Sequence, residues 1–170
     1  MKPLLIVDGY NVIGAWKDAE RKRYTIDEAR DKLTHMLMEH SGYMGEEIVL
    51  VFDGYRSEKP GTTLDRHGPV TVVYTKRGET ADSYIERLVV QSPKYRRIRV
   101  ATSDGQIQTL ALGAGATRIT SRELILELQQ SKKTGYTAYT QSQPISRNPL
   151  AARLPRDVQE KLEQLRRGEE

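Results

Sequence analysis

The 170-residue sequence contains no cysteine. Disulfides, a thiol nucleophile and Cys-ligated zinc or iron–sulfur centres are therefore excluded. Histidine is scarce as well, with three residues, His35, His40 and His67. His35 and His40 are five apart, off a common helix face, and His67 falls in a Gly/Pro-rich stretch read as a loop. Catalysis by a histidine pair has little to stand on. No apolar run approaches the roughly 18 residues that a membrane-crossing helix requires. The first apolar stretch, residues 3–7, is too short for a secretory signal. A Walker-type Gly-Lys-Ser/Thr is missing too. Gly113-Ala114-Gly115 follows a helical pattern and precedes a strand pattern, the reverse of a dinucleotide-binding turn. What remains is the expectation of a soluble, cytoplasmic protein without membrane contacts or nucleoside-triphosphate chemistry.

What is present suits a globular domain. Hydrophobic residues make up 37% and charged residues 29%, too apolar for a disordered chain and too polar for a membrane protein. The length fits one domain, or one domain plus an appendage. With 27 basic and 23 acidic residues the net charge is +4 and the pI near 9.3. That balance permits a polyanionic partner without demanding one. The excess is uneven: residues 1–129 carry 19 basic and 18 acidic side chains, residues 130–170 carry 8 and 5. Arg87, Lys94, Arg96, Arg97 and Arg99 form a run with no acid between them, read as a solvated helix end and loop.

Short apolar runs, mostly β-branched, occupy residues 4–7, 48–52, 70–74 and 98–101. Uninterrupted runs of this length predict strands covered on both faces, as in a parallel sheet. Between them lie helical spacings. Ile26, Ala29, Leu33, Met36, Leu37 and His40 share a face, with Thr25 or Asp27 as the start. Ala81, Tyr84, Ile85, Leu88 and Val89 make a second, ended by Pro93, and residues 104–112 a third, stopped by Gly113. A short strand follows at 116–119, and Ser121 with the early acid Glu123 opens a helix carrying Leu124, Ile125 and Leu128. This alternation predicts an α/β fold, a three-layer sandwich around a mostly parallel central sheet. Beyond Ser131 the pattern dissolves: residues 132–149, rich in Thr, Ser, Gln, Gly and Tyr, read as a linker or arm. Helical spacing returns through Val158, Leu162 and Leu165, with Gly168 as a stop. The expected organisation is a domain over 1–131 and a basic linker with a C-terminal helix over 132–170.

In open parallel sheets, ligands bind beyond the carboxyl ends of the strands. Three predicted strands deliver an aspartate there: Asp8, Asp53 and Asp104. Asp82 opens the helix that follows the third run. Each alone has an ordinary reading, because Asp8-Gly9 and Asp53-Gly54 are turn pairs and Asp82 and Asp104 suit helix N-termini. Four on one edge are harder to dismiss. Carboxylates gathered within a few ångströms repel and raise one another's pKa, so such a cluster calls for a cation. Oxygen ligands without His or Cys select Mg²⁺ or Mn²⁺, which hold phosphate and activate water for phosphodiester hydrolysis. Asn11 is placed to orient that water or a phosphate oxygen, or to serve as a turn cap. Thr102 and Ser103 either bond a phosphate oxygen or cap the helix at Asp104.

Asp8-Gly9-Tyr10-Asn11, Val51-Phe52-Asp53-Gly54, the segment Thr80-Ala81-Asp82-Ser83-Tyr84-Ile85-Glu86, and Ala101-Thr102-Ser103-Asp104-Gly105-Gln106 occur in that order. The ordered set resembles NYN-domain nucleases, in particular the bacterial YacP-type branch, related in fold to PIN-domain ribonucleases. The resemblance covers about residues 2–130, and the basic tail ending Leu165-Arg166-Arg167-Gly168-Glu169 also looks like that branch. It implies a metal-dependent endoribonuclease and, in this branch, an enzyme of mRNA decay that works on translating ribosomes. By position it assigns metal-site roles to Asp8, Asp82 and Asp104, with Asn11 and Asp53 supporting catalysis.

The expected reaction is hydrolysis of single-stranded RNA to 5′-phosphate and 3′-hydroxyl ends with Mg²⁺ or Mn²⁺. Expected partners are mRNA and the ribosome, with no DNA and no membrane. Arg56, Lys59, Arg66, Lys76 and Arg77 would rim the acidic pocket, and Arg56, Lys76, Arg77 and Ser103 are the expected RNA contacts. Tyr10, Tyr55, Trp16 and Tyr74 either stack exposed bases or pack in the core. Arg30 and Arg122 fall near the site on helix starts, without a catalytic assignment. One rival reading is a non-catalytic RNA- or ribosome-binding module with a vestigial acidic pocket. Another is a phospho-acceptor or phosphatase of a different α/β fold. Tyr10, where an Asp-x-Asp site needs a second acid, and the lack of a receiver-type acid pair and late lysine argue against it.

Overall fold

The alternation of apolar side chains along the first strand sets the layering. In the computed structural model, which describes residues 1–54, 58–142 and 158, Leu5 and Val7 face one side of the sheet and Leu4 and Ile6 the other. β1 (Leu4–Asp8) is buried throughout. It is followed by α1 (Gly9–Ala15), α2 (Lys17–Arg21), α3 (Ile26–Met44), β2 (Glu47–Phe52), β3 (Thr63–His67) and β4 (Val70–Tyr74). Then come α4 (Ala81–Gln91), β5 (Ile98–Ala101), α5 (Gly105–Gly113), β6 (Thr117–Ile119) and α6 (Ser121–Ser142).

The strand order is β3-β4-β2-β1-β5-β6, parallel except for β3, which runs antiparallel to β4. One face packs Leu5, Val7, Leu50 and Phe52 against Val12 of α1, Leu33 and Leu37 of α3, and Leu124 and Leu128 of α6. The other packs Ile6, Val51 and Val100 against Ile85 and Val89 of α4 and Ile107 and Ala111 of α5. Burying each such side chain is worth about 1.5–3 kcal/mol. Two half-cores on one sheet make the three-layer α/β sandwich that the alternation predicts.

Local chemistry fixes the helix starts. Thr25 and Glu28 form a reciprocal capping box on α3, and Gly45 ends it with φ +68. Thr80 caps α4 by accepting from the Ser83 N–H. At α6 the cap is Thr120, not Ser121: its hydroxyl accepts from the Glu123 N–H and its own N–H donates to the Glu123 carboxylate.

Three elements depart from the sequence reading. α1 and α2 occupy a stretch with no predicted structure, where Asp8-Gly9 reads as a turn. β3 is a largely exposed edge strand, polar apart from Leu64, with no apolar run to announce it, and His67 is its last residue rather than part of a loop. Finally, α6 runs to Ser142, so residues 132–142 are helical where a linker is expected. The chain divides into two compact units, Met1–Gly135 and Tyr136–Glu170. The C-terminal helix expected around Leu162 and Leu165 lies outside the described residues, apart from helical Val158. Among the described residues no helix is long and apolar enough to cross a membrane.

Candidate active site

From β1 the chain passes into α1 on one face of the sheet, whereas from its neighbour β5 it passes into α5 on the other. The connections diverge at the carboxyl ends of these two strands and open a crevice, the switch point where α/β sheets bind ligands. Asp8 ends β1 and Asp104 follows β5, one on each lip. On the other side of β1, Asp53 follows β2, and Asp82 sits in the first turn of α4. Asp8, Asp82 and Asp104 lie at the N-termini of α1, α4 and α5, where the helix dipole offsets part of their repulsion. Asp104 Oδ1 accepts from the Gln106 N–H at 2.8 Å, and Asp53 Oδ2 from the Ala81 N–H at 3.4 Å.

The two glycines of the Asp-Gly pairs have a packing reason. A Cβ on Gly9 would collide with the Phe52 ring, and one on Gly54 with the Thr75 carbonyl. Thr75 completes this clamp, since its hydroxyl accepts from the Gly54 N–H at 2.7 Å and donates to the Glu79 carbonyl at 2.7 Å. Gly9 thus lets the start of α1 close on β2, and Gly54 lets the end of β2 close on the β4–α4 turn.

Electrostatics bind the carboxylates into one group. Asp8 is 8% exposed, and its carboxyl is pushed from 3.8 to about 6, first by burial and then by the charge of Asp82, with Asp104 adding to it. The Thr102 hydroxyl, donating to Asp8 Oδ2 at 3.2 Å, opposes that rise. Asp82 is raised by burial and then by Asp104 and Asp53. Among the described residues no three acids or histidines stand close enough to form a ready-made metal site. The donor chemistry nonetheless fits a hard divalent cation: oxygen ligands only, with the mutual repulsion that such an ion relieves.

Asn11 holds the crevice together. Its Oδ1 accepts from the Ser103 N–H at 2.8 Å and the Ser121 hydroxyl at 2.5 Å. With both lone pairs engaged, only its amide N–H₂ is left to face a ligand. Ser103 also accepts from the Ser121 N–H at 3.3 Å, and Thr102 accepts from the Asp104 N–H at 3.1 Å. The hydroxyls read as phosphate contacts therefore serve first to shape the β5–α5 turn. Ser121, fully buried, is a site-building residue that the sequence reading passed over as a helix cap. A lone serine at a helix start carries no signal of a partner 110 residues away.

Other expected contacts divide. Lys76 and Arg77 are exposed in the β4–α4 turn that leads to Asp82, and Lys59 lines a cleft beside Asp53. Arg66 is exposed on β3, and Arg122 in the first turn of α6. Arg56 and Tyr55 lie outside the described residues. Trp16 is buried at 7% exposure, edge-on to Tyr24 at 6.0 Å, and is core rather than a stacking platform. His35 is exposed beside Glu39. His40 is buried, and its Nδ1 lies 2.7 Å from Ser131 Oγ. The Arg87–Arg99 run is a solvated loop only in part: Lys94 and Arg97 are exposed, and the other three arginines pair with acids. Arg87 pairs with Glu79, Arg96 with Glu47, and Arg99 with Glu46 and Glu127.

Fold and site together define an α/β domain with four aspartates along the carboxyl edge of a mostly parallel sheet. The chain belongs to the YacP-like NYN domain family, whose model it matches over residues 5–167, and that family implies a nuclease-type, RNA-related role. Over 128 residues it is 38% identical to the uncharacterized protein YacP of Bacillus subtilis (strain 168), covering 74% of this chain and 75% of that one. Two crystal structures of Rae1 (YacP) from Bacillus subtilis are similar to it. One, of a mutant, has a TM-score of 0.69 at 31% identity and covers 96% of this chain and 99% of that chain. The other has a TM-score of 0.66 at 33% identity, covering 99% and 96%.

Proposed function

We propose that this protein is a Mg²⁺- or Mn²⁺-dependent endoribonuclease that hydrolyses single-stranded RNA, acting on mRNA at the ribosome. The observation that carries the reading is the placement of Asp8, Asp53, Asp82 and Asp104 along the carboxyl edge of the sheet, where burial and then the charges of Asp82 and Asp104 raise Asp8. Membership of an NYN family supports the nuclease class. The mRNA and ribosome assignments rest on the likeness to the YacP-type branch.

Asp8, Asp82 and Asp104 would hold the metal, and Asp53 completes the acidic pocket. When bound, the metal supplies charge neutralisation at the phosphate and a water acidic enough to attack at neutral pH. The chain's own part is positioning. Thr102 orients the Asp8 carboxylate, Asn11 locks the β5–α5 turn and presents its amide, and Lys76 and Arg77 hold flanking phosphates. The products carry 5′-phosphate and 3′-hydroxyl ends.

The test is cleavage of a defined mRNA with purified ribosomes, idle and translating, by wild type and Asp8→Asn. Metal-dependent products from wild type alone, with a higher yield on translating ribosomes, support the whole reading. Salt-sensitive binding without metal-dependent products would instead mark a non-catalytic RNA- or ribosome-binding module.

A further inference from the structure

A cleft of about 600 Å³ lies beside the acidic group, against α1, α3 and the β3–β4 hairpin. It falls within the roughly 300–1,000 Å³ range of small-ligand sites. Its floor is aromatic. Tyr74 stacks on Phe52 with centroids 5.5 Å apart and planes at 22°, and Tyr10 leans on the same ring at 5.0 Å. Phe52 is fully buried, whereas Tyr10 and Tyr74 are half-buried and line the cleft. The Arg30 guanidinium lies 5.7 Å from the Tyr74 centroid, and its Nη1 donates to Tyr10 Oη at 3.4 Å. Opposite, Leu64 of β3 is 54% exposed, an apolar side chain without cover. Core packing accounts for Phe52. It accounts for Tyr10 and Tyr74 only in part, since both pack against the core yet also line the open cleft, and it does not account for Arg30 and Leu64 beside them.

Charge selects the kind of ligand. Arg30 and Lys59 line the cleft, but so do Asp53 and Asp65, and Arg30 is already paired with Asp27. Among the described lining residues no positive excess remains to draw a phosphate. A flat, neutral, hydrogen-bonding group fits better. Aromatic rings and the arginine plane stack on it, while arginine N–H groups reach acceptors on its edge. Asp53 belongs to both places: it lines the cleft, bonds the α4 N-terminus and raises Asp82.

We propose that this cleft takes one nucleobase of the RNA, that of a nucleotide flanking the phosphate held at the aspartates. Tyr10 and Tyr74 form the stacking shelf, and Arg30 is the edge reader that sets base preference. The ligand's identity rests on the nuclease reading above; the cleft and its chemistry do not.

The test needs no catalysis. A short single-stranded RNA is titrated in EDTA against the full chain by fluorescence anisotropy, alongside the same RNA with one abasic residue at successive positions. One position should weaken binding roughly 10-fold when abasic, the range of a single stacked base. Tyr74→Leu and Arg30→Lys should abolish that difference, and Tyr74→Phe should keep it. Circular-dichroism melts verify that each variant is folded. Equal affinity at every abasic position would overturn the proposal, as would an undiminished difference in both Tyr74→Leu and Arg30→Lys. A base-dependent position without any metal-dependent cleavage would leave the base site standing and sink the nuclease reading. Cleavage without it does the reverse.

Discussion

Replacing Asp8 with asparagine should stabilise the metal-free protein while silencing it. The Asp8 carboxyl rises from its ordinary 3.8 to about 6 in the fold. The folded state therefore binds its proton more tightly than the unfolded chain does. Below about pH 4 both states are protonated and the residue is neutral in its effect. Between there and pH 6 the carboxylate increasingly penalises folding, and above pH 6 the penalty is constant. About two pKa units correspond to roughly 3 kcal/mol. Asparagine keeps an oxygen for the Thr102 hydroxyl but adds an amide N–H₂ to a site that is 8% exposed. The net gain should then be about 1–2 kcal/mol, or a Tm higher by roughly 3–6 °C for a chain of this size. Differential scanning fluorimetry in EDTA at pH 7.5 and pH 4 measures it. The rise should be present at pH 7.5, vanish at pH 4, and narrow when Mn²⁺ is added to wild type. An unchanged or lower Tm at pH 7.5, or the same rise at both pH values, would refute the electrostatic argument.

Asn11→Ala leaves the Ser121 hydroxyl buried without its acceptor and should cost about 2–3 kcal/mol in urea melts. A double-mutant cycle with Ser121→Ala should return a coupling of at least about 0.5 kcal/mol, and additivity would show that the two do not act together. Gly54→Ala drives a methyl into the Thr75 carbonyl and should destabilise by about 1–3 kcal/mol; wild-type stability and activity would contradict the clamp. At the opposite edge of the sheet, burial alone would raise Glu46, but His40 and the Arg99 fork hold it below the usual 4.5. That interaction contributes stability above pH 4.5 and loses it as pH falls through the lower folded value. Arg99→Met should therefore cost about 3–5 kcal/mol near pH 7 and clearly less at pH 4, where a pH-independent loss would count against it.

The sheet was readable because burial on both faces writes an uninterrupted apolar run, and β4 and β5 match their predicted residues. β3 was not, since an exposed edge strand reading Thr-Leu-Asp-Arg-His needs no apolar pattern. The extension of α6 to Ser142 was missed for a related reason: its last turns carry Thr, Gly and Tyr with no apolar stripe. The aspartates could be read from strand ends because topology, not packing detail, brings strand ends together. Their supports could not. Thr102 reaches Asp8 across 94 residues of chain and Ser121 reaches Asn11 across 110, distances over which a single sequence records no pairing. The basic run from Arg87 to Arg99 shows the converse limit: Lys94 and Arg97 are exposed as a solvated loop predicts, whereas Arg87, Arg96 and Arg99 are neutralised in space by Glu46, Glu47, Glu79 and Glu127.

Whether the four aspartates cleave RNA with a hard metal ion is decided by incubating a defined single-stranded RNA with wild type, Asp8→Asn and Asp82→Asn in Mg²⁺, Mn²⁺ or EDTA and mapping the ends. Wild type with metal should give 5′-phosphate and 3′-hydroxyl products, with none from either variant or in EDTA. Cleavage that survives the chelator, or survives both substitutions in folded protein, would contradict the metal mechanism.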